Sequence, residues 1–145
     1  MPANTSPIFT LTPQVNWGSA DGDGGTAGPL KTANTAKDGT GTVLTVFTAG
    51  AQGGFVKEVR VRPVGTNVAT VLRLFINNGS AHTTAANNAL VDEVSIPAAT
   101  ISETSAQAIT IIPCNFALPA SYTLIVTIGT TVAAGVFVSA FGGAY

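Results

Sequence analysis

Charge is what this sequence has least of. Asp, Glu, Lys and Arg make up 9% of its 145 residues, against about 25% in an ordinary soluble domain. With Lys+Arg 6 against Asp+Glu 7, it has too few cations to line a surface against phosphates, so no nucleic-acid partner is expected. The single cysteine, Cys114, excludes an intrachain disulfide, and nothing points to an oxidising compartment. No apolar run approaches the ~18 residues of a membrane helix. The segment Met1 to Val15 has neither the basic nor the apolar region of a secretory signal. A chain made and folded in a cytoplasm, without a membrane partner, is expected.

Reactive groups are as scarce. The one histidine, His82, stands among Ser, Ala and Thr, with no acidic residue close in sequence. Cys114 lies between Pro113 and Asn115. A nucleophile needs a base within reach and a third group to orient that base, so an enzyme is not expected. Asp21-Gly-Asp23-Gly begins like a calcium loop, but Gly25 takes the place of the third oxygen ligand. Asp92 and Glu93 are adjacent and would point to opposite faces of a strand. No metal and no cofactor is expected.

What is abundant is small and neutral. With 46% hydrophobic residues and so little charge, much of the surface must be Ala, Thr, Ser, Asn and Gly. Covering such a surface with another protein strips few charges of water. The length suits one domain, and the composition changes near residue 42. Residues 1–42 carry Pro2, Pro7, Pro13, Pro29 and the Gly-rich stretch Asp21 to Gly28, a density that discourages helix and interior strand. They read as an extended N-terminal arm, anchored by Ile8, Phe9, Leu11, Val15 and Trp17.

Residues 43–145 read as a β-sandwich domain. Val43–Thr48, Gly54–Pro63, Val68–Asn77, Ala89–Ile96, Ala106–Ile112, Ser121–Gly129 and Val132–Phe141 are rich in β-branched and aromatic residues, and turn-forming clusters separate them. The class is all-β and antiparallel; Ala81–Ala89 is the one helix candidate. Alternation puts Phe55, Val59 and Val61 on one face and Glu58, Arg60 and Arg62 on the other. A two-residue turn at Gly65-Thr66 would pair this strand with the next, setting Glu58 opposite Arg73 as a structural cross-strand pair. Tyr122, Leu124, Val126 and Ile128 share a face. Val136 and Val138 suit a core, which leaves Phe137 and Phe141 on the reverse side, covered either by a second subunit or by the arm.

Several phrases resemble small virion proteins of tailed phages: Lys31 to Val43 followed by Val46-Phe-Thr-Ala-Gly50, then Gly65 to Thr70, Phe75 to Ser80, Asn87-Asn88, and Ala134-Gly135 to Tyr145. The similarity runs over about residues 28–145. The family it suggests is that of capsid decoration (cement) proteins. The resemblance implies a jelly-roll-like sandwich, assembled as a homotrimer on the capsid surface of the virion and bridging neighbouring major capsid proteins. It implies no active-site residue. Expected contact residues are Ile8, Phe9 and Trp17 in the arm and Phe137, Phe141 and Tyr145 at the C-terminus. The alternative is a receptor- or glycan-binding module of a tail fibre or baseplate.

Overall fold

Strands dominate because Val, Ile, Thr and Phe recur at alternate positions between Gly, Pro and Asn turns. The computed structural model describes residues 28–145 in full, together with the backbone of Thr12–Trp17 and Ser19–Asp21. In chain order the strands are β1 (Thr12–Trp17), β2 (Ser19–Asp21), β3 (Val43–Thr48), β4 (Gly54–Pro63), β5 (Thr70–Asn77), β6 (Asn88–Ile96), β7 (Thr110–Leu118), β8 (Thr123–Ile128) and β9 (Val136–Ala144). The helix candidate shrinks to one 3-10 turn, Ala85–Asn87. All strand pairs are antiparallel. They form a four-stranded sheet A, ordered β1-β9-β4-β7, and a five-stranded sheet B, ordered β2-β3-β8-β5-β6.

This is the interleaved order of a jelly roll, with β2 appended to one edge. From β3 to β9 every connection crosses between the sheets except β5 to β6. That topology overturns the expected hairpin. β4 pairs with β7 and β9, whereas β5 pairs with β6 and β8, so the two never meet in one sheet. Glu58 therefore has Arg60 as its ion partner at 2.6 Å, and Arg73 has Glu93 at 3.3 Å.

The core lies between the sheets. Val56, Val59 and Val61 of β4, Ile112 of β7 and Val138 and Ala140 of β9 face Leu44, Val46 and Phe47 of β3, Leu72 and Leu74 of β5 and Leu124, Val126 and Ile128 of β8. The expected phases of β8 and β9 hold, with Tyr122 packed at the margin. Leu30, 1% exposed, joins this core and bridges Val136 through two backbone hydrogen bonds. β1 pairs along β9 and β2 along β3. The segment ahead of residue 43 thus contributes to both sheets and to the interior.

β4 changes phase within itself. Val56 and Val59 both face the core because a bulge intervenes, shifting register between Val56 and Glu58 against both β7 and β9. Phe55 accordingly faces away from the core, contrary to simple alternation. The bulge lets β4 press on β9 at Gly142. A Cβ there would collide with the carbonyl oxygen of Phe55.

The loops are fastened by asparagines. Buried Asn67 donates to the Gly135 carbonyl at 2.7 Å and accepts the N–H groups of Ala134 and Gly135 at 2.8 and 3.1 Å. Its backbone exchanges two hydrogen bonds with Ala99, so three loops meet on one residue. Buried Asn34 donates to the carbonyls of Thr40 and Thr42 and accepts from the Ala36 N–H. The 34–42 loop leaves the Ile128 end of sheet B and reaches Asn88, whose amide donates to the Asp38 carbonyl. It lies across the outer face of sheet B, over buried Val43, Phe75 and Ile125. Gly39 is confined there twice, by φ 80 and by the Asn88 side chain 2.9 Å from where a Cβ would sit. Within this loop the Thr40 hydroxyl and N–H hold the Asp38 carboxyl below its usual range.

Two substitutions test this frame. Gly142→Ala is expected to cost about 1–3 kcal/mol, since the bulged backbone must move. Asn67→Ala is expected to cost about 1–3 kcal/mol by orphaning buried backbone groups. Urea unfolding of each variant measures both; a change under about 0.5 kcal/mol would contradict the packing described.

Candidate functional site

One edge strand of each sheet, β7 of sheet A and β6 of sheet B, is irregular. Sheet A ends at β7, where Pro113 has no N–H to give and Asn115 takes a left-handed φ of 51. Sheet B ends at β6, where register shifts opposite Leu74/Phe75 and Asp92 Oδ1 accepts the Glu93 N–H at 2.8 Å. Bulges, proline and edge charges are the devices by which strands avoid pairing with another chain. A partner meeting β6 or β7 finds the backbone ladder interrupted.

The outer face of sheet A is different. The register between β4 and β9 sets Arg62 beside Phe137, Arg60 beside Ser139 and Glu58 beside Phe141. On the other flank, Arg60 stands opposite Ile111 of β7. Arg60, Arg62, Ile109, Phe137, Ser139 and Phe141 line a groove of about 350 Å³. Phe137 is 38% exposed, Ile109 41% and Ile111 52%, so this is an apolar surface open to water. The Arg60 guanidinium lies 4.4 Å above the Phe141 ring and is held there by Glu58, 2.6 Å away. Such a stack contributes about 0.5–1 kcal/mol at an exposed site. More usefully, it fixes one wall of the groove before anything binds.

Two of the expected contact residues, Phe137 and Phe141, are brought together here. Tyr145 is not; it lies beyond the far end of β9, where its N–H donates to the Gly53 carbonyl at 3.2 Å. Ile8 and Phe9 lie outside the described residues. Trp17 is placed by its backbone alone, in register with Ser139, as Val15 is with Phe141. Sequence reasoning missed Arg60, Arg62 and Ile109 as partners of the phenylalanines. Alternation in β4 shows that the arginines point outward, but only the β4–β9 pairing sets them beside the rings.

No family model matches the chain, and no curated protein matches it. Among the described residues, no group of three or more His, Cys, Asp or Glu is placed to hold a metal ion. Among them, too, no helix is long and apolar enough to cross a membrane. Cys114 is half-buried against the core margin, its thiol 3.6 Å from the Ile112 carbonyl. Burial pushes this thiol up to about 11, with the Asp92 and Glu58 carboxylates adding to the rise. A thiol so raised stays protonated at neutral pH and is a poor nucleophile.

Alkylation of Cys114 by iodoacetamide at pH 8 is therefore expected to run about a hundredfold slower than that of a free cysteine, and to accelerate as pH climbs toward 11. Mass spectrometry of quenched samples reads both rates. Labelling at the rate of free cysteine would show that the thiol is not shielded as described.

Proposed function

We propose that this chain is a structural subunit of a virus particle: a capsid decoration protein that braces the shell by bridging neighbouring major capsid subunits. The observation that carries the reading is the open apolar and arginine-bearing groove on sheet A, on a jelly roll in which the edge strands β6 and β7 are blunted. Exposed aromatic rings beside arginine are the composition of protein-binding hot spots. A neutral surface around them lowers the cost of burial against another chain. The phage-protein phrases support the virion setting, because Asn34, Asn67, Asn77 and Asn88 within them act as loop fasteners, as suits a scaffold.

Mechanically, a pressurised shell separates adjacent capsomers, and a subunit spanning their junction adds contact that must break first. A standard interface buries about 1,600 Å² in total. Repetition around a homotrimer would turn modest single contacts into strong retention.

Copy number tests the reading. Quantitative mass spectrometry of purified particles is expected to find this chain in numbers comparable to the major capsid protein. A handful of copies per particle would instead place it in a tail fibre or baseplate. Phe137→Ser is expected to weaken particle binding about 10–100-fold at a stability cost of about 1–2 kcal/mol, with melting curves confirming that the variant folds. Replacing His82 and Cys114 together by alanine is expected to leave binding unchanged. Loss of binding in that folded double variant would argue for chemistry at those residues.

A further inference from the structure

Charge is rare in this chain, so its clustering is informative. Lys57, Arg60 and Arg62 are all exposed and all belong to β4, drawn from a total Lys+Arg of 6. The strand has one carboxylate, Glu58, and Arg60 holds it. Arg73 is engaged by Glu93 in the other sheet. Arg62 stands beside Phe137, and no carboxylate lies within ion-pair distance of it among the described residues. A chain of net charge -1 thus presents a local excess of positive charge at the groove where Phe137 is open to water.

Resting on the reading of this face as a docking surface, we infer that the groove receives an extended segment of a partner protein in which a Glu or Asp sits two residues from a large apolar residue, so that both side chains share one face. The carboxylate meets the Arg62 guanidinium, whose planar fork suits two parallel hydrogen bonds. The apolar residue on the same face packs on Phe137 and Ile109. Arg60 is already oriented by Glu58 and Phe141, so it lends field without giving up its own partner. Two features favour a protein over a nucleic acid. The groove's walls are mainly apolar, and its volume of about 350 Å³ suits a pair of side chains. Phosphate recognition draws on many more cations than this face holds.

The test uses the full chain and three probes: a blocked hexapeptide in which Leu and Glu alternate at every second position with Ser between them, its Leu/Gln counterpart, and an eight-residue oligo-dT. NMR titration reads the Phe137 and Phe141 ring protons and the Arg62 side-chain signal. The Glu peptide is expected to bind about 10–100-fold tighter than the Gln peptide, the span of one charge-assisted pair. Arg62→Gln should erase that preference, while Lys31→Gln should leave it intact. Both positions are exposed, and melting curves confirm that each variant folds. Equal binding of the two peptides, tighter binding of oligo-dT, or no saturation with the Glu peptide below about 5 mM would overturn the inference. Should the peptides fail while Phe137→Ser still weakens particle binding, the docking face stands and the acidic occupant does not. Failure of both removes both.

Discussion

A one-residue slip in the middle of sheet A governs the rest of the molecule. Before the bulge, β4 sends Val56 inward; after it, Val59 and Val61. In a sheet, residues directly opposite one another share a face, and a shift of one inverts every assignment that follows. Continued without the slip, β4 would set Arg60 beside Val138 and bury a guanidinium among valines. With the slip, Arg60 stands beside Ser139 and Arg62 beside Phe137, in water. Gly142 makes the slip possible by letting the two backbones approach. The groove is therefore a consequence of how the core was packed.

The scarcity of charge has a counterpart inside the fold. Work that ion pairs share in many proteins is here given to side-chain amides, which join loops through short hydrogen bonds to backbone. Asn67 ties three loops together, and Asn34 closes the loop that roofs sheet B. An amide satisfies buried backbone groups without the desolvation cost of a charge. The few charged side chains are then left for the surface, where half of the cations share one strand. The residues that fasten the loops are thus different from those that line the outer face of sheet A.

Much of this architecture is legible in the sequence. The bounds of β3 and β4 follow from β-branched runs between turn residues, and strict alternation identifies the core faces of β8 and β9. From that alternation, Phe137 and Phe141 emerge as outward residues. Other features are not legible. β7 extends to Leu118 across Pro113 and a left-handed Asn115, both of which read as strand breakers. The alternating Val and Leu residues of β4 and β5 suggest a hairpin because a short Gly-bearing turn joins them. The jelly roll sends them to opposite sheets, where each finds a longer-range partner.

By itself the sequence determined the class of fold and the alternation along each strand. These are local properties, set by side-chain branching, backbone restriction and spacing over a few residues. Only the tertiary structure decided which strands are neighbours, where the register slips, and hence that arginines from one strand stand beside phenylalanines from another nearly eighty residues away. Such choices depend on how two sheets close over a shared core, and no short window of sequence contains that information.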